Sequence, residues 1–220
     1  MNPVNPDSNK AIQNYRRLAR RYDDSCRRVM SIRQDAVGLL GLRSGDYVLD
    51  VACGTGLSFP MLVAGVGLKG KVVGLELSPD MAGQARKRIV LNRWDNVSII
   101  EADAGKVEQL GETFDSMLFH YTHDVLRQPD ALFRILSHAK PGARIVLAGI
   151  KAAPWWLGPI GPISKWRARQ YLTTYEGFEN PWSNLLKYVP EFHWSSRLAG
   201  TNYVGWGPFD HATFLAGEKL

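Results

Sequence analysis

Two carboxylates, each closing an apolar run, and the small-residue turn between them are the residues of this chain best suited to chemistry. Val48-Leu49 ends on Asp50 and passes into Val51-Ala52-Cys53-Gly54-Thr55-Gly56, while Val72-Val73-Gly74-Leu75 ends on Glu76. An acid at the end of a buried strand, followed by a glycine turn, lets backbone N–H groups come close to a ligand. A second acid at the end of the next strand can accept hydrogen bonds from both ribose hydroxyls. This order is that of a nucleoside-binding βαβ unit. A dinucleotide would ask for a further glycine two residues beyond Leu57, but position 59 is Phe59, so the Gly-x-Gly-x-x-Gly turn is incomplete. A lone nucleoside without a diphosphate needs less.

More chemistry-bearing residues lie downstream. Glu101-Ala102-Asp103-Ala104 leaves a third apolar run. Phe119-His120-Tyr121-Thr122-His123-Asp124 follows a fourth, and there Tyr121 and His123 are the candidates for a catalytic role. His123 beside Asp124 is a base next to a carboxylate, although neighbours in sequence need not touch, and a capping or surface role fits the same residues. Six of the seven tryptophans fall in the last third of the chain, which suggests an aromatic acceptor pocket there. Core filling and a hairpin interface compete with that reading.

Elements that would hold these residues alternate along the chain. Helices are expected over 10–29 and 32–42, the first with Tyr15 and Tyr22 on its apolar side and arginines on the other. Strands are expected over 47–51, 72–77, 97–100, 114–120 and 144–148. Helices over 57–66, 79–91 and 130–138 join them, with Ser78 as an N-cap and Pro79 in the first turn. Lys140-Pro141-Gly142 reads as a turn. Such alternation requires right-handed crossovers and one parallel sheet. After Gly149 the texture shifts to the proline- and glycine-rich, aromatic stretch 153–162, read as a lid. Helices over 163–173 and 183–188 and a hairpin turning at 199–202 follow.

The composition is that of a soluble globular protein of 220 residues, 45% hydrophobic and 22% charged. Its two cysteines make no metal-ligand spacing, and its polar first ten residues are no secretory signal. No apolar stretch is long enough for a membrane helix, so a cytoplasmic location is expected. The net charge of +6 is local: Arg16, Arg17, Arg20, Arg21, Arg27, Arg28 and Arg33 crowd one segment. A solvated helix face explains this, and peripheral contact with an anionic membrane is the sharper reading. No nucleic-acid module is recognisable, so no nucleic-acid partner is expected.

In order and spacing, Leu49 to Gly56, then Glu76-Leu77-Ser78-Pro79-Asp80-Met81, then Glu101 to Ala104, then Lys140-Pro141-Gly142-Ala143 resemble the class I S-adenosylmethionine (SAM) dependent methyltransferases. The resemblance covers about residues 10–150. Ala52 stands where the family has its first glycine, as in its quinone and phospholipid methyltransferase branch. The resemblance implies a Rossmann-like α/β fold with a seven-stranded, mostly parallel sheet, helices on both faces, an N-terminal helical cap and a C-terminal β-hairpin. The parts would be the cap (1–35), the SAM-binding core (36–150), an acceptor-side lid (151–190) and the hairpin (191–220). It also implies SAM as cofactor, bound by Ala52, Gly54, Thr55 and Gly56 in the turn. Asp50 would hold the ligand's ammonium end or the loop, Glu76 the ribose, Met81 the adenine face, and Asp103 with Ala104 the adenine amino group, with Leu77 also contacting the cofactor. His120 would sit near the methyl group, with Tyr15 and Tyr22 closing the site. The expected reaction moves a methyl group to nitrogen or oxygen of a small-molecule acceptor. The alternative is an amine of a phospholipid or betaine-lipid head group at an anionic membrane. A NAD-dependent oxidoreductase is disfavoured by the missing glycine and the lack of a Tyr-x-x-x-Lys pair.

Overall fold

The computed structural model describes residues 6–19, 22–158, 169 and 171–217. Strands β1 (Tyr47–Val51), β2 (Lys71–Glu76), β3 (Val97–Glu101), β4 (Phe114–His120) and β5 (Ala139–Ile150) run parallel. With β6 (His193–Arg197) and β7 (Asn202–Pro208) they form one seven-stranded sheet in the order β3-β2-β1-β4-β5-β7-β6, β7 lying antiparallel to both its neighbours. The chain steps outward from β1 to β2 and β3, then crosses back to β4. The carboxyl ends of β1 and β4 therefore diverge, and a crevice opens above them where such sheets bind ligands.

Both faces of the sheet are covered, which is why β1 and β2 read as unbroken apolar runs rather than alternating ones. Leu49, Val51, Val73 and Leu75 face one layer, together with Leu132 and Ile135 of α7 (Pro129–Leu136) and Phe214 of α8 (His211–Gly217). Val48 and Val72 face the other, against Ile32 and Ala36 of α3 (Met30–Leu39) and Phe59 and Leu62 of α4 (Phe59–Val66). Ser78 caps α5 (Pro79–Asn92) by accepting from the Met81 N–H at 3.5 Å, as its sequence predicts.

The structure departs from expectation at four places. The single helix over 10–29 is divided into α1 (Ser8–Leu18) and α2 (Tyr22–Cys26), followed by a 3-10 turn (Arg27–Val29). The division lets Asp23 of α2 reach down to accept from the Thr55 hydroxyl at 2.6 Å and from Arg88. β5 runs through the Lys140-Pro141-Gly142 turn, which becomes a bulge: Phe114 pairs with Ala139, but Ser116 pairs with Arg144. Lys140 there donates to both Asp115 oxygens at 2.8 Å. A short helix, α6 (His123–Leu126), and the terminal α8 were not expected from the sequence. Asp210 caps the latter, accepting from the Ala212 and Thr213 N–H groups at 3.0 and 3.1 Å. The helix expected over 163–173 lies largely outside the described residues.

The N-terminal arginines do not share one solvated face. Arg16 pairs with Asp80 at 3.2 Å and Arg27 with Asp24 at 2.9 Å, while Arg33 is buried and donates to the Ser58 hydroxyl at 2.7 Å. Arg20 and Arg21 lie outside the described residues, as does the side chain of Arg17. Among the described residues no helix is long and apolar enough to cross a membrane.

Candidate active site

The turn after β1 is held by its own backbone and by Glu76. The Cys53 N–H donates to the Leu75 carbonyl at 3.0 Å, and the Gly56 N–H to the Cys53 carbonyl at 3.1 Å. Gly54 and Gly56 have φ of +60° and +75°, which glycine adopts without strain. Ala52, in the family's first glycine position, sits at φ +51°. The Glu76 carboxylate accepts from the Gly54 N–H at 2.8 Å and from the Ser78 N–H at 2.7 Å, tying the turn to the start of α5. Burial pushes the pKa of Glu76 up, and these two N–H donors oppose the rise. Each carboxylate oxygen keeps a further acceptor position for a ligand hydroxyl.

A pocket opens directly above, lined by Ala52, Gly54, Glu76, Leu77, Met81, Asp103 and Ala104. Its roof comes from α1 and α2, through Ser8, Ile12, Tyr15 and Tyr22. The Ser8 hydroxyl donates to Asp103 at 2.9 Å, so the cap closes over that acid. Met81 is almost wholly buried, its side chain forming part of the pocket wall. Two carboxylates at the ends of adjacent strands, a glycine turn and a methionine face suit an adenine nucleoside with a short amino-acid tail.

Three residues expected at the ligand, Asp50, Thr55 and Gly56, do not line this pocket. Thr55 turns to Asp23, and Gly56 packs on the Phe59 ring. Asp50 is buried under the turn beside Ser58 and Arg33, with Oδ2 free of any hydrogen-bond partner. Burial pushes its pKa up to about 7, against the pull of the Arg33 guanidinium. Of the two roles expected for Asp50, its placement fits support of the loop.

A second chamber of about 590 Å³ adjoins the first. Tyr15, Tyr22, Tyr121, Thr122, His123 and Tyr171 line both and form the waist between them. Tyr121 has φ +60°, a conformation bulky residues rarely adopt, and its hydroxyl donates to Asn202 Oδ1 at 2.6 Å. His120 faces the first pocket only. Both ring nitrogens of His120 and of His123 are buried without a hydrogen-bond partner among the described residues. Burial holds His120 neutral and, with Arg127 nearby, pushes His123 down to about 4. Asp124 does not touch His123: it accepts from the Thr173 hydroxyl at 2.7 Å and the Thr173 N–H at 3.0 Å. The Asp124 carboxylate is thus taken up by Thr173, and His123 packs edge-on against Phe178.

No described tryptophan lines either cavity. Trp182 is buried against Trp194 and Tyr203, Trp206 stacks under Arg144 at 3.6 Å, and Trp155 and Trp156 are 88% and 69% exposed. Trp166 lies outside the described residues. The aromatic chamber exists, but tyrosines build it. Sequence reasoning missed Asn202, Phe178 and Arg33. Asn202 offered the one available signal, a polar residue at the mouth of an apolar strand.

The sheet order, with acidic residues at the ends of β1, β2 and just beyond β3 around a glycine turn, defines the class I SAM-dependent methyltransferase architecture. Comparison with known proteins agrees. Residues 48–142 match the family model described as a methyltransferase domain. A demethylmenaquinone methyltransferase of Shouchella clausii (strain KSM-K16) is 30% identical over 117 residues, 53% of this chain and 50% of its own. A ubiquinone/menaquinone biosynthesis C-methyltransferase of Pseudomonas syringae pv. syringae (strain B728a) is 33% identical over 114 residues, 51% and 44% of the two chains. The solved structure of a SAM dependent methyltransferase from Aquifex aeolicus superposes with a TM-score of 0.57 at 20% identity, covering 80% of this chain and 89% of that one. Residues 48–142 thus resemble a methyltransferase domain, and the chain has the fold of the class I SAM-dependent methyltransferases. It spans about half the length of the curated relatives it matches.

Proposed function

We propose that the protein transfers the methyl group of SAM to a hydroxylated aromatic small molecule held in the tyrosine-walled chamber. SAM, bound over Glu76 and Asp103, would supply a methyl group on a sulfonium leaving group. The observation that carries the reading is the tyrosine-walled chamber adjoining the first pocket, with the neutral His123 ring at the waist the two share. A neutral imidazole can accept a proton from a phenolic hydroxyl. As the hydroxyl proton passes to His123, the oxygen's electron pair forms the new bond to the methyl carbon. The carbon–sulfur bond breaks, and its electrons leave with S-adenosylhomocysteine. Tyr121, fixed by Asn202, would keep the ring in line, and alignment in a water-poor site supplies most of such a rate enhancement.

Transfer to a ring carbon beside the same hydroxyl is the second reading, favoured by a relative named as a ubiquinone/menaquinone biosynthesis C-methyltransferase. As the hydroxyl proton passes to His123, the new bond would form at the ring carbon, whose own proton would then leave to restore the aromatic ring. An amine head group is not favoured, because the chamber's one carboxylate among the described residues, Asp24, already pairs with Arg27.

Labelled SAM incubated with an extract of the source cells, followed by mass spectrometry, should reveal a methylated phenol. His123→Gln should lower that turnover by about 10²-fold or more, with SAM affinity unchanged. Full turnover in the variant, or product methylated at an amine, would overturn the proposal.

A further inference from the structure

The charges on the chamber wall bear on what else the acceptor carries, given the methyl-transfer reading above. The rings of Tyr15, Tyr22, Tyr121, Tyr171, Tyr203 and Phe178 make the wall aromatic. Burial pushes up the Tyr15, Tyr22, Tyr121 and Tyr203 hydroxyls and the Cys26 thiol, so these groups are neutral. Asp24 is matched by Arg27. Two cations on the wall have no anionic partner among the described residues. Arg28 stands on the 3-10 turn between α2 and α3, and Lys151 follows β5 with its ammonium 5.6 Å from the Trp194 ring centre and 3.5 Å from the Ala152 carbonyl. Thr122 and the His123 ring stand at the chamber's waist.

A cationic ligand would meet two like charges and no counter-charge. A neutral one would gain nothing from Lys151 or from the solvent-exposed Arg28. An anion would be drawn in by the field of the cleft and take charge-assisted hydrogen bonds from the guanidinium and the ammonium. We infer that the acceptor is a hydroxylated aromatic acid, with its ring among the tyrosines, its hydroxyl at His123 and its carboxylate or phosphate at Arg28 and Lys151.

Calorimetric titration of the full chain saturated with S-adenosylhomocysteine tests this with four probes: 4-hydroxybenzoate, 4-hydroxyphenyl phosphate, the uncharged 4-hydroxybenzamide and the cationic tyramine. At least one acid should bind ten-fold or more tighter than the amide, and tyramine weakest. The two acids tell a carboxylate from a phosphate. The preference should vanish in the Arg28→Gln/Lys151→Gln double variant and survive in Arg28→Lys, with 4-hydroxybenzamide binding all three proteins alike. Equal binding of acid and amide, tighter tyramine, an undiminished preference in the double variant, or no binding of either acid would overturn the inference. Failure of S-adenosylhomocysteine to bind, read in the first step of the titration, would instead count against the methyltransferase reading.

Discussion

Replacing Glu76 with alanine removes an acceptor that the fold and the ligand share, so the consequences appear in two separate measurements. In the folded protein its two oxygens take the Gly54 and Ser78 N–H groups at 2.8 and 2.7 Å, and the side chain is only 6% exposed. Each buried donor left without a partner costs about 1–3 kcal/mol, and water entering the vacated space returns part of it. A net loss of about 2–4 kcal/mol is expected, which in a chain of this size lowers the melting temperature by roughly 5–15 °C. The ligand loses the charged acceptor of its ribose hydroxyls, about 1–3 kcal/mol or roughly 5- to 150-fold in affinity. Thermal unfolding without ligand measures the first quantity, and calorimetric titration with SAM well below the melting point measures the second. Glu76→Gln, which keeps one acceptor oxygen and turns an NH₂ toward the other donor, should fall between the natural chain and Glu76→Ala in melting temperature. A folded Glu76→Ala protein that binds SAM within about twofold of the natural chain would refute the ribose assignment. An unchanged melting temperature would refute the account of the turn.

Two further substitutions test the layer beneath the ligand. Asp50, raised by burial to about 7 from the ordinary carboxylate value near 4, binds its proton more tightly when folded. Its contribution to stability is therefore fully present below about pH 4 and is lost as pH rises toward and through 7. Asp50→Asn removes this titration and should gain on the natural chain between pH 5 and 8, on the order of 2–4 kcal/mol by urea unfolding; parallel stability curves would sink the argument. Gly56→Ala places a Cβ 2.6 Å from Phe59 ring carbons at φ +75° and should destabilise by about 2–4 kcal/mol. Ala52→Gly, relieving a backbone already at φ +51°, should stay within about 0.5 kcal/mol of neutral, since relief of strain offsets the added chain entropy. Equal effects of the two changes in denaturant melts would contradict the assigned backbone geometry.

The SAM half was legible because its geometry is nearly one-dimensional. Asp50, Glu76 and Asp103 end or follow β1, β2 and β3, neighbours in the sheet and consecutive in the chain, so order along the sequence maps onto a row of sites. Asp50's place below the turn was also within reach. In a strand, side chains alternate, and Asp50 shares parity with Val48, which faces α3 and α4. That parity points Asp50 toward Arg33 and Ser58 below the turn. The acceptor half has no such mapping. Its chamber draws on stretches near residues 15–29, 121–123, 149–151, 171–178 and 198–203, brought together only by the folded sheet. The tryptophans misled for a related reason: composition says that large rings will be used, not on which side of the sheet. Trp182, Trp194 and Tyr203 pack against one another, and Trp206 covers Arg144, so their surface is spent on the hairpin.

What joins the halves is the bond from Tyr121, after β4, to Asn202, at the start of β7, 81 residues apart in the chain. A tyrosine at φ +60° persists only where its surroundings hold it, and here the Ala148 carbonyl takes its N–H at 2.7 Å while Asn202 takes its hydroxyl. The hairpin therefore does more than finish the sheet. It sets the ring that stands between the two cavities, so on the proposed reading the alignment of donor and acceptor would depend on a strand that contributes nothing to the first pocket itself.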